Sequence, residues 1–492
     1  MEFRAEPLDI AAQSPTVLFN AADAEELGVH PLDRVQLRTD GRTHIGIVEV
    51  TEELVEEGSV GVTRQLGHLV GQVDVTLAPK PQSVSYITKK LRDTELERRE
   101  LGAIVTDIDR DRLNDVELSA FVSGIYANGL SRSEVIGLTE LMVEAGKTVT
   151  WDRPIVADKH SIGGVAGNRV TPIVVPIVAA AGLTIPKTSS RAVTSAAGTA
   201  DTVEVFCGVE FSIDEIRDIV DSTGGCMVWG GAVNLSPVDD KIIRAETPLS
   251  LDPPGQIIAS VLSKKRSAGS THVVIDIPYG EGAKIETLPA ARELAEDFAS
   301  VGDHVGLEVE CAITRGGEPI GRGIGPILEA IDVLEVLAGG GPDNLRIKSL
   351  RIAETLFDVC DVDEDPAEIL SSGRALATFR DIVAAQGGDP DVEPEDLEPG
   401  AETAVITADQ SGAVTHVNNR LINEIARRAG SPKDKGAGLR FHRIVGDAVD
   451  AGDQLFTIHA ENREKLADAV ERSEHVEAVR VRSPDEALVE RF

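Results

Sequence analysis

Two short segments of the chain combine cationic side chains, hydroxyl groups and glycines, a set of groups that suits an anion. Residues 158–172 read DKHSIGGVAGNRVTP, and residues 187–205 read KTSSRAVTSAAGTADTVEV. Lysine and arginine supply charge, hydroxyls supply hydrogen bonds, and glycine lets the backbone approach a ligand closely. The two segments therefore predict a site for an oxyanion such as phosphate.

The first segment has the order strand, glycine loop and helix start. A strand is predicted to end at Asp158, and Pro172 stands where a helix can begin, because its missing N–H is harmless there. Backbone N–H groups and the positive end of the helix dipole can then surround a phosphate. The groups that can contribute are Gly163, Gly164, Gly167, Lys159 and Ser161. A glycine-rich turn by itself is equally compatible with a purely structural role.

The second segment repeats this order. A strand is predicted to end near Pro186, and Gly198 and Thr199 precede an acidic helix. Arginine can bind phosphate bidentately and hydroxyls complete the shell. The polar residues available for this are Ser189, Ser190, Arg191, Thr194 and Ser195. Hydroxyl residues are also common in turns and caps, and that interpretation stays open for Thr188 and Thr202.

Any anion site has to be local, because the chain as a whole is strongly acidic. Asp and Glu number 83 against 48 Lys and Arg, a formal net charge of −35 over 492 residues. This surplus repels nucleic acids and anionic membranes, so neither is an expected partner. It is typical of proteins from a salt-rich cytoplasm, where screening shortens the reach of self-repulsion, although simple solubility is a competing interpretation.

The elements that position the two segments begin with a small N-terminal part. Residues 1–84 alternate short β-like runs with turns and end in a proline-bearing connector, which predicts a β-rich domain. Residues 85–149 have helical periodicity, and Ser131 and Glu134 have the spacing of a capping box ahead of an apolar face. This part is predicted to be a helical domain.

The rest of the chain indicates an α/β fold. Residues 150–229 and 269–385 alternate strand-like and helical segments, and an acidic linker at 386–402 leads to a last α/β domain at 401–492. The four cysteines are far apart and have no metal-ligand spacing, so neither a metal nor a disulfide is expected. The apolar stretch at 170–186 is predicted to be a buried helix leading into a strand, and with no signal peptide the chain is expected to be cytoplasmic.

Several motifs in order resemble the thymidine and pyrimidine nucleoside phosphorylase family. DKHSIGGV is followed by K-x-S-x-R, then by G-T-x-D-x-V-E and A-S-x-x-S-K-K, and the similarity covers roughly residues 85–492. The resemblance implies that the helical domain faces the α/β domain across a cleft and that residues from about 230–268 return to it. It also implies an enzyme without a cofactor, inorganic phosphate being a co-substrate, and a homodimer or larger homo-oligomer.

The resemblance assigns roles to individual residues. The implied ligands of the attacking phosphate are Lys159, Ser161, Ser189 and Thr199. Ser260 and Lys264 are implied on the side of the base. His160 is implied beside the reacting groups, although a structural histidine is equally compatible with the sequence.

Departures from the pyrimidine enzymes resemble an archaeal branch of the family that acts on nucleoside 5′-monophosphates. The KHS loop is about one residue longer, residues 194–197 read TSAA, and no arginine that would read a pyrimidine can be placed on Arg244. In this branch Asp252 is the implied proton donor. The implied nucleotide-binding residues are Gly164, Ser190, Arg191, Ala192, Val193, Thr194, Ser195, Thr199, Ser260, Lys264 and Lys284.

The expected reaction is phosphorolysis of AMP, and also of CMP and UMP, to ribose 1,5-bisphosphate and free base. It requires two anions held near a cationic sugar and an acid of raised pKa that protonates the departing base. Three alternatives stay open: a phosphorylase that acts on free pyrimidine nucleosides, a phosphoribosyltransferase, and a regulatory protein that binds nucleotide without turnover.

Overall fold

A computed structural model describes residues 1–482 with the exception of residues 13, 40, 193, 194, 234 and 250. Contacts divide the chain into two compact units. Unit 1 comprises Met1–Gly146 and Ser236–Ser260, and unit 2 comprises Lys147–Leu235 and Val261–Phe492.

Unit 1 begins with a closed six-stranded barrel. Its elements are β1 (Glu2–Pro7), β2 (Thr16–Asn20), α1 (Ala21–Leu27), β3 (Arg34–Thr39), β4 (Arg42–Thr51), β5 (Ser59–Val62) and β6 (Gly71–Leu77). The strand order is β1-β5-β2-β4-β3-β6, and pairing of β1 with β6 closes the barrel. Phe3 and Phe19 meet edge to face in its core, with ring centroids 5.6 Å apart. Closure leaves no unpaired strand edge, so a small domain can be stable without a partner strand.

Four helices follow in unit 1: α2 (Ser83–Leu91), α3 (Arg98–Asp109), α4 (Asp115–Asn128) and α5 (Arg132–Ala145). The predicted capping box of α5 is confirmed, since Ser131 Oγ accepts from Glu134 N at 3.2 Å and Glu134 Oε2 accepts from Ser131 N at 2.8 Å. Of the predicted apolar face, Val135, Leu138 and Met142 are buried in the bundle. The helices therefore pack along the stripe that their sequence indicates.

Unit 2 begins with the two candidate segments. Its first elements are β7 (Ala157–Ser161), α6 (Thr171–Ala180), β8 (Ile185–Ser189), α7 (Thr199–Val203), α8 (Ile213–Thr223), β9 (Gly225–Trp229) and α9 (Gly230–Val233). Helix α6 is buried along nearly its whole length and leads into β8, as predicted for residues 170–186. The chain then forms α10 (Pro237–Glu246) and α11 (Pro254–Ser267); Val238, Ile242 and Ala259 are buried in the helical core of unit 1.

The remaining elements of unit 2 complete the α/β part. They are β10 (His272–Tyr279), α12 (Leu288–His304), β11 (Glu308–Arg315), β12 (Gly323–Ile324), α13 (Pro326–Leu337), α14 (Asp343–Val359), α15 (Pro366–Ser371) and α16 (Arg374–Ala385). Strands β11, β10 and β7 form a parallel sheet, β8 and β9 form a parallel pair, and a single parallel bridge from Val156 to Thr184 links the two. Parallel strands that alternate with helices are the α/β arrangement that the sequence predicts.

Two strand ends differ from the predictions. Strand β7 ends at Ser161 and not at Asp158, and β8 ends at Ser189 and not near Pro186. The reason is pairing with neighbours that are distant in sequence, because Asp276 of β10 pairs with Ser161 and Trp229 of β9 pairs with Ser189. Hydrogen bonding between parallel strands thus continues through polar residues that the local sequence pattern assigns to loops.

The C-terminal segment is part of unit 2. It contains β13 (Glu402–Thr407), β14 (Gly412–Val417), α17 (Asn419–Arg428), β15 (Gly438–Phe441), β16 (Ala448–Val449), β17 (Gln454–Ala460), α18 (Arg463–Glu474) and β18 (Val479–Arg482). One of its sheets has the order β12-β15-β17-β13, so it incorporates β12 of the preceding α/β part, and the other has the order β16-β14-β18. The segment predicted as a separate last domain thus shares a sheet with the domain before it.

Two sequence predictions about chemistry outside the anion site can be compared with the structure. Cys207, Cys226, Cys311 and Cys360 are free cysteines in the structure. Among the residues that the structure describes, no helix combines the length and the apolar character needed to cross a membrane.

A buried ion pair fixes the barrel to the helical bundle within unit 1. Arg34 at the start of β3 is only 4% exposed and donates from Nε and Nη2 to the carbonyl of Arg112 at 3.1 and 2.9 Å. Its Nη1 donates to Glu117 Oε1 at 3.0 Å, and Glu117 also accepts from the backbone of Asn114 at the start of α4. The guanidinium of Arg34 therefore bonds to the carbonyl of Arg112, in the loop before α4, and to the Glu117 carboxylate at the start of α4.

We expect Arg34→Ala to destabilise unit 1 by about 3–5 kcal/mol, because it leaves the Glu117 carboxylate largely buried without its partner. The matched control is Arg4→Ala, since the exposed Arg4 lies 3.8 Å from Glu6 and such a pair contributes about 1 kcal/mol or less. Calorimetric unfolding of both variants at one salt concentration measures the difference. Equal losses in the two variants would contradict the role of the buried pair.

Candidate anion-binding site

The first candidate segment places a lysine in the interior. Lys159 on β7 is 1% exposed, and its Nζ donates to Ser161 Oγ at 2.8 Å and to Thr171 Oγ1 at 3.1 Å. Thr171 is the first residue of α6, so the ammonium group lies at the positive end of a helix. The structure thus brings together Lys159 and Ser161, two of the predicted phosphate ligands.

Buried lysines outnumber buried aspartates around this group. Lys265 Nζ donates to Asp158 Oδ2 at 3.0 Å, and Lys187 Nζ lies 3.9 Å from Asp158 Oδ1. Lys348 Nζ lies 2.9 Å from Asp276 Oδ2. The buried members of this cluster, each at most 9% exposed, are Lys159, Lys187, Lys265, Lys348, Asp158 and Asp276. Four lysine side chains against two carboxylates can carry more positive charge than the carboxylates neutralise, and an anion can neutralise the rest.

Burial, together with the neighbouring charges, changes the protonation of the lysines. Burial lowers the pKa of Lys159 from 10.5 to about 7; Asp276 opposes the shift, and Lys348 and Lys265 add to it. Burial, with the charge of Lys265, also lowers the pKa of Lys187. Burial would raise the pKa of Asp276, but the neighbouring lysines outweigh it and hold that pKa low. An anion that binds beside Lys159 therefore favours its protonated form.

His160 follows Lys159 on β7 and is half-buried. Burial, and then the charges of Lys265 and Lys187, lower its pKa well below the ordinary value, so its ring is neutral near pH 7. The part of the chain that the structure describes provides no hydrogen-bond partner for this ring.

The second candidate segment contributes an unsatisfied hydroxyl. Ser189 Oγ at the end of β8 is buried, and among the described residues it has no hydrogen-bond partner. A buried hydroxyl without a protein partner has hydrogen-bonding capacity left for a ligand or a water molecule. Thr199 begins α7, and its Oγ1 accepts from Arg169 Nη1 at 3.3 Å.

Arg169 is a central residue that the sequence analysis missed. It lies in the first segment but reaches the second, where it donates to Thr199 and to the carbonyl of Ala197. It is 8% exposed and also donates to Glu329, a 1% exposed carboxylate on α13 that accepts from Thr202 Oγ1 at 3.0 Å. Burial raises the pKa of Glu329, and Arg169 counters that shift. An arginine in a glycine-rich loop is a signal that the sequence does contain. Its buried carboxylate partner, however, lies 160 positions away, so the sequence does not indicate that the two residues meet.

Arg191 is placed differently from the expectation that it binds phosphate bidentately. Its Nη1 and Nη2 donate to the two carboxylate oxygens of Glu204 at 2.9 and 2.7 Å, and further to Asp201 and Glu210 at 3.3 and 3.1 Å. The guanidinium also lies 4.9 Å from the ring centroid of Trp229. Hydrogen bonding to Arg191 lowers the pKa of Glu204 to about 2. The bidentate partner in this structure is therefore a carboxylate supplied by the acidic residues around α7.

Ala192, Ser195 and Gly164, three further members of the predicted nucleotide site, lie in unit 2. Ser195 Oγ donates to the carbonyl of Ala197 at 2.9 Å, and the backbone N–H of Ala192 donates to Asp201 at 2.7 Å. Gly164 has φ +100°, and a Cβ on it would lie 2.5 Å from the backbone nitrogen of Lys284, so only glycine fits there. Val193 and Thr194 lie outside the described residues.

The residues predicted on the side of the base lie on or near α11. Ser260 Oγ donates to Asp239 Oδ2 at 2.8 Å within unit 1, and Asp239, which the sequence analysis missed, is fully buried. Asp252, the predicted proton donor, is exposed just before α11 in the same unit. Lys264 is half-buried and belongs to unit 2. In the described ranges, no group of three or more His, Cys, Asp or Glu side chains could hold a metal ion.

Family models match three parts of the chain. Residues 84–146 match the helical bundle domain of a glycosyl transferase family, and residues 153–287 match the a/b domain of a glycosyl transferase family. Residues 413–478 match the pyrimidine nucleoside phosphorylase C-terminal domain.

Curated relatives match the chain over nearly its whole length. It is 61% identical to AMP phosphorylase of Natronomonas pharaonis, with 100% of both chains covered. It is 47% identical to AMP phosphorylase of Thermococcus kodakarensis, with 96% of each covered. Among solved structures, anthranilate phosphoribosyltransferase from Thermus thermophilus matches 61% of this chain and 99% of its own, with TM-score 0.52. At 16% identity, that likeness shows the fold alone.

The protonation of Lys159 predicts how anion affinity depends on pH. Sulfate keeps its charge between about pH 6 and about pH 9, whereas Lys159, with a pKa of about 7, loses its proton in this range unless an anion is bound. We expect the sulfate affinity to fall by about 10- to 100-fold as the pH rises through this range. Isothermal titration calorimetry measures it directly.

Lys159→Met is the control for this pH dependence. It should bind sulfate weakly at about pH 6, with little further loss on going to about pH 9, because the titrating ammonium is gone. A variant that retains the pH dependence of the unmodified protein would show that another group is responsible.

Proposed function

The chain belongs to the AMP phosphorylase family, within the thymidine and pyrimidine nucleoside phosphorylases, and on this premise we propose that it catalyses phosphorolysis of AMP. An oxygen of inorganic phosphate bonds to C1′, the bond from C1′ to the base nitrogen breaks, and its electron pair leaves with the base. A proton delivered to the base then gives adenine, and the sugar product is ribose 1,5-bisphosphate. The proposal extends to CMP and UMP.

The observation that carries this proposal is the anion site inside an acidic chain. In a protein of net charge −35, the buried Lys159 lies on β7, and Ser189, whose hydroxyl has no partner among the described residues, lies on β8. A single parallel bridge from Val156 to Thr184 links these two parts of the chain. We assign the attacking phosphate to Lys159, Ser161, Ser189 and Thr199. Fixing this nucleophile beside C1′ supplies much of the acceleration expected of such an enzyme, because orientation replaces a bimolecular encounter.

A second anion, the 5′-phosphate of the substrate, is assigned to the loop from Ser190 to Ser195, with Gly164 and Lys284 beside it. Arg191 then acts through its ion pairs with Glu204 and Asp201, which hold the loop backbone, rather than as a bidentate phosphate ligand. The proposed contacts to this phosphate are the loop hydroxyls and those backbone N–H groups that are not bonded within the protein.

The base-side assignments complete the proposed chemistry. Asp252 is the proposed proton donor to the departing base, and Ser260 and Lys264 are the proposed contacts to the base. The buried Asp239 accepts from Ser260 Oγ at 2.8 Å and so fixes the orientation of that hydroxyl. No cofactor is required, because the protein supplies the proton and inorganic phosphate supplies the nucleophile.

The proposed setting is a salt-rich cytoplasm and a homodimer or larger homo-oligomer. The charge of −35 supports the first assignment, together with 61% identity to a protein of Natronomonas pharaonis. At high salt the repulsion among surface carboxylates is screened over a few ångströms, so such a surface does not destabilise the fold.

The assignment of a second anion predicts strong discrimination between AMP and adenosine. Hydrogen bonds to a charged group contribute about 1.5–3 kcal/mol each, so two of them favour AMP by about two orders of magnitude or more in kcat/KM. Phosphate-dependent release of adenine from each compound measures the ratio. Equal use of adenosine would contradict the 5′-phosphate assignment and favour a nucleoside phosphorylase.

The assignment of Asp252 predicts a loss of turnover in Asp252→Asn. Without the proton donor we expect kcat with AMP to fall by about 10²- to 10⁴-fold, with a smaller change in KM. Asp218→Asn is the matched control, because Asp218 is exposed on α8 and has no assigned role. Similar turnover in both variants would assign the proton to another group.

A further inference from the structure

Helix α17 of the C-terminal segment contacts both parts of the anion site. We define loop A as residues 162–170, between β7 and α6, and loop B as residues 190–198, between β8 and α7. The residues of loops A and B that bond to α17 lie 253 and 227 positions away from their partners in the sequence. These contacts are made by successive turns of the helix.

Asn419 at the start of α17 bonds to loop A. Its side chain is fully buried, and its Oδ1 accepts from the backbone N–H of Ala166 at 3.0 Å. Its Nδ2 donates to the carbonyl of Gly316 at 2.9 Å. One amide group therefore satisfies a donor of loop A and an acceptor after β11, and neither bond could be made by an apolar side chain.

Asn423 lies one helical turn further along and bonds to loop B. Its Oδ1 accepts from the backbone N–H of Ala196 at 2.9 Å, and its Nδ2 donates to the carbonyl of Asn419 at 3.0 Å. Arg427, a further turn along, donates to the carbonyl of Ser195 at 3.3 Å. Residues four apart lie on one face of a helix, so a single face of α17 contacts both loops.

Apolar packing also connects loops A and B to the C-terminal segment, independently of the hydrogen bonds. Ala166 of loop A is 2% exposed and Ala196 of loop B is fully buried, and both belong to the apolar core of the C-terminal segment. In that core they join residues such as Ile422 and Val417. The methyl groups of Ala166 and Ala196 are thus packed in the C-terminal core, and the N–H groups of the same two residues bond to α17.

We propose that Asn419 and Asn423 are positioning residues that set the conformations of loops A and B for anion binding. Each asparagine fixes one backbone N–H inside a loop to which an anion is assigned, so it restricts the conformations that this loop can adopt. Asn419 serves the loop beside the attacking phosphate, and Asn423 serves the loop assigned to the 5′-phosphate. This inference rests on the proposed function for the identity of the two anions.

The test compares three Asn→Ala variants on one helix. We expect Asn423→Ala to raise KM for AMP by about tenfold, with KM for phosphate changed less than about threefold, and Asn419→Ala to show the opposite preference. In both variants kcat should stay within about threefold. The control is Asn418→Ala, since Asn418 caps α17 by accepting from Leu421 N at 3.0 Å and bonds to none of the described residues of either loop.

The control separates positioning from stability. Loss of the cap in Asn418→Ala should lower the thermal midpoint of unfolding without altering either KM. If all three variants change both KM values to the same extent, the positioning role is overturned. If Asn423→Ala does not fold, Asn423→Ser, which keeps a hydroxyl on the same helix face, replaces it with the same expectation and the same criterion.

A second measurement decides the inference even if the protein does not cleave AMP, a result that would refute the proposed function alone. Hydrogen exchange by mass spectrometry should show faster exchange of peptides from loop B in Asn423→Ala and from loop A in Asn419→Ala. Calorimetry with inorganic phosphate should show weaker binding in Asn419→Ala than in Asn418→Ala. Unchanged exchange of both loops, with phosphate affinity equal to that of the control, would overturn the proposal.

Discussion

The anion site depends on an excess of positive charge that the α/β part of unit 2 keeps out of water. Asp158 compensates Lys265 and Lys187, and Asp276 compensates Lys348, while Lys159 is left with hydroxyl partners. Burying such an ammonium costs free energy, which is why its pKa falls to about 7. An oxyanion in that place removes the cost, so the fold is poised to bind one.

The strong acidity of the chain makes this local arrangement necessary. A surface with a net charge of −35 repels phosphate at long range, and salt screens that repulsion but attracts nothing. Affinity for an anion must therefore come from short-range contacts in a low dielectric, where a buried charge and a hydroxyl are most effective. The same acidity explains Arg191, whose guanidinium is held by carboxylates from α7 and its surroundings.

The two loops that supply these contacts are held by parts of the chain far away in sequence. Arg169 reaches from loop A to loop B and to Glu329 on α13. Gly325, which lies just before α13, also donates its N–H to Glu329. The C-terminal segment, which shares β12 with the α/β part, adds the bonds from α17. Small residues in the loops permit this approach, as at Gly164 against Lys284.

The sequence by itself determined the kinds of element in several parts of the chain, and it predicted where a site lies. Periodicity and capping residues placed α5 and the buried α6, and the resemblance carried by the motifs around Lys159 and Ser189 indicated the family. These signals are local, because a helix is specified by residues three and four apart and a glycine loop by neighbouring residues. Only the tertiary structure decided where β7 and β8 end, since those ends are set by pairing with β10 and β9. It also decided the carboxylate partners of Arg169 and Arg191 and the bonds from Asn419 to loop A, because a hydrogen bond depends on positions in space that sequence separation does not encode.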